Sequence, residues 1–179
     1  MPTRAKNDQA SSRPDKETGS TDLHKLFEHT LKDTYFAENA IIKALPKMAK
    51  AAQSQDLRKA FETHLKQTEG HVKRLDKVFS MIGEKAAGVP CEAIKGIIKE
   101  GEEVMEEFED TGALDAGLAA SAQAVEHYEI TRYGTLKAWA NELGMEDAAE
   151  LLDATLKEEV ETDELLTQIS EKKLIAEAM

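Results

Sequence analysis

Apolar residues recur along the chain with the spacing of an α-helix, and no sustained alternation of apolar and polar residues predicts a strand. Four long segments carry this spacing. A shorter and more acidic segment, "CEAIKGIIKEGEEVMEEFED", lies between the second and the third. Glycine and proline mark the junctions, as is typical of loops. The pattern predicts an all-α protein with long helices at about residues 21–48, 54–82, 114–143 and 146–176.

Local signals refine the ends of the first predicted helix. Ser20 or Thr21 is its expected N-terminal cap, since a short hydroxyl side chain can accept a hydrogen bond from the free N–H groups of the first turn. Pro46 is expected to kink or trim its last turn, because proline lacks the N–H that continues the helical ladder.

The order of these segments limits the possible topologies. Short turns join the first long helix to the second and the third to the fourth, so each pair is predicted to form a helical hairpin. The connection between the pairs is longer and carries the short helix. This fits a four-helix bundle with one crossover. The spacing alone leaves open a plain up-down bundle whose short helix acts as a lid.

The charge of the chain narrows the classes of partner. Acidic residues number 35 against 23 basic ones, which gives a formal net charge of -12. A nucleic-acid surface needs clustered Lys and Arg, so no nucleic-acid partner is predicted. The excess of carboxylates is compatible with binding cations. No apolar run approaches the roughly 18–20 residues that cross a bilayer, so no membrane partner is predicted either.

Residues 1–20, "MPTRAKNDQASSRPDKETGS", are polar and rich in helix-breaking residues. They lack the apolar core of a secretory signal, and the single Cys91 excludes an internal disulfide, so a cytoplasmic location is expected. The chain is therefore divided into a flexible polar N-terminal tail at residues 1–20 and one helical bundle domain at residues 21–179.

Five carboxylates fall on or beside the apolar faces of the long helices when residues are placed at about 100° per step. Glu126 and Glu129 lie inside the apolar arc of the third long helix. Glu159 and Asp163 lie near the centre of the fourth, and Glu38 lies on the edge of the first. Singly, each could reach water at the rim of a bundle. Together, near the middle of their helices, they predict a shared polar interior.

On the second long helix, His64 and His71 lie within or beside the apolar arc. A lone inward histidine is more often a hydrogen-bonded core residue than a ligand. An isolated buried carboxylate, however, is costly unless it is paired or neutralised, and no Lys or Arg falls at matching depth on the four arcs. Two solutions remain, which are shared protons or bound metal. Carboxylates with one imidazole suit iron or manganese, and also zinc.

Five segments carry a family resemblance: "LKDTYFAENAIIKALPKMAKAA", "AFETHLKQTEGHVKRLDKVF", "CEAIKGIIKEGEEVMEEF", "AQAVEHYEITRYGTLKAWA" and "LLDATLKEEVETDELLTQI". They resemble the YciE/YciF-type ferritin-like family, also known as domain of unknown function 892. The resemblance covers about residues 21–172. It implies a bacterial, stress-associated, ferritin-like four-helix bundle with a short extra helix in the crossover between helices 2 and 3. It also implies a homodimer and a bound metal pair, but no established reaction.

The wider superfamily, which includes rubrerythrin-like proteins, supplies a template for the ligands. Its first, third and fourth elements match the inward carboxylates, although Thr162 stands where the fourth element has histidine, with Asp163 as a substitute. The second helix lacks the template's Glu-x-x-His motif. The predicted metal ligands are Glu38, His64, Glu126, Glu129, Glu159 and Asp163.

The departures from the template leave a di-iron and a mononuclear site both open. The first function predicted is a redox protein that oxidises Fe(II) or reduces peroxide at this carboxylate-rich site, with manganese or zinc as other possible metals. The alternative is a non-enzymatic bundle in which the carboxylates share protons or hold a structural cation, and which acts through self-association or a partner.

Overall fold

The computed structural model describes residues 22–179, which form helices and connecting loops with no strand among them. The predicted all-α fold is therefore confirmed. The predicted tail at residues 1–20 and the predicted cap at Ser20 or Thr21 lie outside the described residues. A short π-helical turn, Ser170–Leu174, joins the last two helices. The helices are α1 (Asp22–Ala51), α2 (Gln55–Met81), α3 (Glu92–Glu107), α4 (Leu114–Glu142), α5 (Glu146–Ile169) and α6 (Ile175–Glu177).

The first helix runs past its proline. It continues to Ala51, so the prediction that Pro46 trims it is wrong. Pro46 is exposed, whereas Leu45 and Met48 beside it are buried. The pyrrolidine ring therefore faces solvent. The turn loses one hydrogen bond but keeps the apolar contacts that hold it to the bundle.

Two clusters of apolar side chains fill the bundle, one toward each end. The upper cluster takes residues from the beginning of α1 and α5 and from the end of α2 and α4, and the lower cluster takes them from the opposite halves. The upper cluster includes Phe27, Leu31, Leu75, Phe79, Leu136, Ala148 and Leu152. The lower cluster includes Ile41, Leu45, Leu57, Phe61, Leu118, Ala122 and Leu166.

This distribution settles the direction of each helix. Helix α1 shares the upper cluster through its first half and α2 through its last half, so these two helices are antiparallel, and the same holds for α4 and α5. Helices α2 and α4 both reach the upper cluster with their last halves and are therefore parallel. Consecutive long helices that run in the same direction need a connection that returns along the length of the bundle. The connection between residues 82 and 113 is thus a true crossover, and the plain up-down alternative is excluded.

The crossover helix α3 packs against α4 and α1. Its Ile94 is fully buried in the lower cluster, and Gly101 lies so close to α4 that an added Cβ would be 3.4 Å from the Cβ of Ser121. Cys91, just before α3, has its Sγ 3.2 Å from the Tyr128 hydroxyl. Helix α3 consequently covers the lower half of the bundle. Across residues 22–179 no helix is long and apolar enough to cross a membrane.

Candidate metal centre

A layer of ionisable side chains separates the two apolar clusters. Its members come from the middle of α1, α2, α4 and α5, and none has more than 2% of its surface exposed. The helical spacing explains why they meet, since residues three, four or seven apart share one face of a helix. These six residues, called the polar layer below, are Glu38, His64, His71, Glu126, Glu129 and Glu159.

The polar layer divides into two ligand groups. His64, Glu126, Glu129 and Glu159 form the first group; Glu38, His71 and Glu159 form the second. In each group one ligand atom per residue lies within 4.8 Å of all the others. Ligand bonds of about 2.0–2.2 Å place opposite ligands about 4.2 Å apart, so each group has the span that one cation requires. Glu159 belongs to both groups and would bridge two ions.

Eight buried oxygen and nitrogen atoms of the polar layer have no hydrogen-bond partner among the described residues. They comprise both oxygens of Glu129 and of Glu159, with one atom from each of the other four side chains. Some of them lie close together, such as His71 Nδ1 and Glu159 Oε1 at 3.0 Å, but without hydrogen-bond geometry. Buried polar atoms are nearly always satisfied in folded proteins. A concentration of orphan donor atoms at one place therefore points to a ligand.

Burial raises the pKa of three carboxyl groups in the layer. The pKa values of Glu126 and Glu129 rise well above the ordinary 4.5, first because both are removed from water and then because neighbouring Glu159 repels their charge. Burial also raises the pKa of Glu38. Without a cation, burial therefore favours the protonated forms of Glu126 and Glu129. Ionised, the four carboxylates carry four negative charges, which two divalent cations would balance.

His64 is electrically neutral at neutral pH. Burial, reinforced by the positive charge of His71, lowers its pKa to about 4. Its Nδ1 lies 3.4 Å from the Thr162 hydroxyl, which donates its own hydrogen to the Glu158 carbonyl. Nδ1 is therefore assigned the proton, and Nε2 keeps a lone pair directed into the layer, 3.2 Å from Glu126 Oε1. This is the form in which an imidazole binds a metal.

His71 is in the opposite state. Burial alone would lower its pKa, but the adjoining carboxylates of Glu159 and Glu38 outweigh burial and raise it to about 10. Its Nε2 lies 2.8 Å from Glu158, whose two oxygens accept hydrogen bonds from Arg74 at 2.7 and 2.8 Å. Nε2 thus keeps its proton toward Glu158. A cation would take the place of the second proton, on Nδ1.

A tyrosine closes the layer toward the upper cluster. The hydroxyl of fully buried Tyr133 donates a hydrogen bond to Glu38 Oε1, and its ring centroid is 6.2 Å from that of His71. Burial raises the pKa of this phenol well above 10. Tyr133 of α4 therefore contacts a carboxylate of the layer that belongs to α1.

The structure brings together five of the six predicted ligands and places Asp163 elsewhere. Asp163 Oδ1 accepts a hydrogen bond from Gln123 at 3.1 Å, and Oδ2 lies 3.2 Å from His127 Nε2 on the surface. Four residues after Glu159, it is rotated about 40° around the helix, and its short side chain meets α4 instead of the layer.

His71 belongs to the layer, although the predicted ligand set does not include it. The signal for it was available in the sequence. It follows His64 by seven residues, which returns to nearly the same helical face. The superfamily template favours a Glu-x-x-His motif, whereas this chain places two histidines two turns apart and supplies the glutamates from other helices.

The donor set fits two metal ions of the iron or manganese type. It offers two imidazole nitrogens and four carboxylates, and orphan donor atoms converge on two positions that share one glutamate. Within residues 22–179 no Lys or Arg side chain forms an ion pair with any member of the layer. Positive charge must therefore come from bound cations, from the imidazolium of His71 or from protons.

Comparison with known proteins agrees with this fold. The family described as a domain of unknown function, DUF892, matches residues 22–179. Protein YciF of Escherichia coli (strain K12) is 44% identical over 149 residues, which cover 83% of this chain and 90% of that protein.

Two solved structures extend the similarity. The crystal structure of the E. coli stress protein YciF has a TM-score of 0.83 and 40% identity, and the match covers 88% of this chain and 99% of that one. YcfI from Rhodopseudomonas palustris, described as a candidate structural protein, has a TM-score of 0.80 and 47% identity, covering 82% and 94% of the two chains. This chain therefore belongs to the DUF892 family and has the YciF-like, ferritin-like bundle.

Proposed function

We propose that this protein binds two divalent metal ions, iron or manganese, in the polar layer and uses them in one-electron chemistry on dioxygen or peroxide. The observation that carries the proposal is the set of eight buried, unpartnered donor atoms on side chains from four helices. The similarity to a relative described as a stress protein supports a role during stress.

The side chains of the layer suit iron oxidation. Iron bound there would supply the electrons, since two Fe(II) ions and two protons convert one dioxygen to hydrogen peroxide and leave two Fe(III) ions. The carboxylates stabilise the higher charge of the product. Arg74 and Glu158 hold the ring of His71, while Thr162 holds that of His64, so the nitrogen lone pairs keep their direction.

Metal analysis of the purified protein tests the proposal. Plasma mass spectrometry should find iron or manganese at about one or two ions per chain, as expected for a site of this donor set. After anaerobic loading with Fe(II), admission of air should produce the near-ultraviolet absorption of a di-ferric centre. A protein that takes up neither metal, from the cell or from solution, would contradict the proposal.

We also propose a homodimer, on the family resemblance, which light scattering of the purified protein tests.

One observation favours a second function. An imidazolium at His71 between Glu38 and Glu159 can neutralise part of the layer without metal. A relative described as a candidate structural protein is consistent with a non-enzymatic bundle. In that case, removal of metal by a chelator should leave both the thermal stability and the oligomeric state unchanged. A large fall in stability on chelation would argue against the metal-free form of this bundle and would require a bound cation, either structural or redox-active.

A further inference from the structure

An apolar pocket lies in the lower half of the bundle, beneath the crossover helix. Its walls come from α1, α2, α3 and α4, and its volume is about 30 Å³. A cavity needs about 10–15 Å³ of such volume to hold one water, so this pocket has room for one diatomic molecule. Most of its lining is apolar. The large apolar side chains that line it include Ile41, Leu45, Met48, Ile97, Ile98 and Met105.

The pocket meets only one side of the polar layer. His64 and Glu126, both in the first ligand group, form part of its lining. Glu38 and His71, which complete the second group with Glu159, do not line it; Tyr133 closes that side of the layer. A molecule in the pocket would therefore contact the first metal position and not the second.

The outer end of the pocket carries an ion pair. Lys47 of α1 and Glu102 of α3 line the pocket, are 63% and 43% exposed, and lie 2.8 Å apart. The hydroxyl of Ser121, another lining residue, donates its hydrogen to the Gly117 carbonyl. Apart from His64 and Glu126, whose unpartnered atoms belong to the first ligand group, the polar side chains of the walls are bonded to one another or to the backbone. A water or a peroxide inside would find few partners, whereas an apolar molecule needs none.

We propose that this pocket is the site through which dioxygen reaches the first metal position, the one formed by His64, Glu126, Glu129 and Glu159. The inference rests on the proposed metal function and adds its substrate and direction of approach. Dioxygen is apolar and diatomic, which matches the walls and the volume. The Lys47–Glu102 pair connects α1 to the crossover helix across the outer end.

Two pocket-filling variants and one matched control test the proposal. Ala122→Val adds two methyl groups at the buried inner wall, and Ala44→Met adds a flexible side chain at the half-buried outer wall. Ala40→Met is the control, because Ala40 is also half-buried on α1, one turn earlier, and does not line the pocket. Each protein is loaded with Fe(II) without oxygen, its iron content is measured, and oxidation is followed after mixing with dissolved dioxygen.

Crystals pressurised with xenon provide a readout that is independent of reaction. Xenon should occupy the pocket of the parent protein and of Ala40→Met, and should be displaced in Ala122→Val. Both filled variants should bind iron as the parent does and oxidise it at least about tenfold more slowly, which corresponds to about 1.4 kcal/mol on the barrier.

The outcomes separate the two proposals. Normal iron binding with unchanged oxidation in both filled variants would overturn the dioxygen route and leave the metal function intact. A pocket that excludes xenon in the parent protein would also overturn the route. If the parent takes up neither iron nor manganese, the metal function fails, and the route fails with it.

Discussion

His64 and His71 lie two turns apart on one helix and face the same polar layer, yet their acid–base states are opposite. The pKa of His64 is lowered to about 4, and that of His71 is raised to about 10. Burial acts on both in the same direction. The difference comes from the neighbours, since His71 lies beside two carboxylates and is backed by a third, whereas the outer nitrogen of His64 faces a neutral hydroxyl.

The same contrast extends to the surroundings of the two ligand groups. The His64 side is reached by an apolar pocket beneath α3. Tyr133 closes the His71 side of the layer. Hydrogen bonds from His71 to Glu158 and from Arg74 to Glu158 connect this side to the surface. The two ligand groups that share Glu159 thus differ in access and in their routes for protons. One helix can hold two histidines with different roles because the partner of the outer ring nitrogen sets the state of the inner one.

Removal of the shared ligand should have the largest effect. Glu159→Gln keeps the shape of the side chain but removes the charge that both ligand groups use. We expect loss of both metal ions. The helical fold should be retained, because the uncharged amide no longer repels the buried carboxylates of Glu126 and Glu129. Plasma mass spectrometry and circular dichroism measure the two properties. Glu161→Gln, at an exposed position of α5, is the control. Stoichiometric metal in Glu159→Gln would exclude the bridging role.

The two histidines should differ when they are replaced in the metal-free protein. His71→Gln removes the positive charge between Glu38 and Glu159 and should lower the free energy of unfolding by up to about 3 kcal/mol, the lower end of the cost of breaking a buried ion pair. His64→Gln removes a neutral ring and should cost less. Chemical denaturation of both apoproteins measures the difference. Equal losses would show that His71 carries no charge in the folded state.

The pH dependence of stability should reverse when metal binds. Glu38, Glu126 and Glu129 have folded-state pKa values above their ordinary 4.5, so the metal-free folded protein retains protons that the unfolded chain releases as pH rises. His71 acts in the same direction, because its stabilisation is complete below 6.5 and is lost as pH approaches about 10. Metal-free protein should therefore melt at a lower temperature at about pH 9 than at about pH 7.

Bound metal requires the ionised carboxylates and the free imidazole nitrogens, so its affinity should rise with pH. His64, whose pKa is lowered to about 4, opposes the trend only below its ordinary 6.5 and does not affect this range. Melting curves at the two pH values, with and without metal, are the measurement. A metal-free protein whose stability increased from about pH 7 to about pH 9 would contradict the raised pKa values of these buried groups.

The sequence predicted the helices well because apolar spacing is a local property that burial enforces. Helix α2 begins one residue after the predicted Ser54, and α4 begins at the predicted residue 114. The relative direction of α2 and α4 was not predictable in this way, since the same spacing suits either direction. Helix α1 continues past Pro46 because the proline ring is exposed. This exposure depends on which face of α1 packs against the other helices.

The candidate site was predictable where a carboxylate interrupted an apolar face. Glu126, Glu129 and Glu159 were found in this way, and the structure buries all three. Asp163 lies on nearly the same face, but a rotation of about 40° and a short side chain are enough to direct it to another helix. The outer hydrogen-bond partner of the His71 ring, Glu158, was not predictable. It faces outward on α5 and contacts His71 only where α5 packs against α2.

Replacement of the residue behind each histidine should give smaller effects of unequal size. Glu158→Gln can still accept the proton of His71 Nε2 but removes the charge that Arg74 holds in place. Such outer partners typically change metal affinity by about 10–100-fold. We expect a loss in this range, together with a lower pKa of His71, measured by competition with a chelator and by NMR titration of the imidazole. An unchanged imidazole pKa would show that Glu38 and Glu159 alone hold the charge.

Thr162→Val should have the smallest effect. Valine matches threonine in shape, so the packing around His64 is kept while its Nδ1 loses a partner that lies 3.4 Å away. That distance indicates a weak hydrogen bond, and we expect a fall in metal affinity of less than about tenfold, the lower bound for a strong outer partner. The pKa of His64 should stay low, because burial is its first cause and valine leaves burial intact. A loss as large as that of Glu158→Gln would mean that the hydroxyl orients the ring as firmly as a carboxylate does, and that the two histidines differ in charge but not in how they are held.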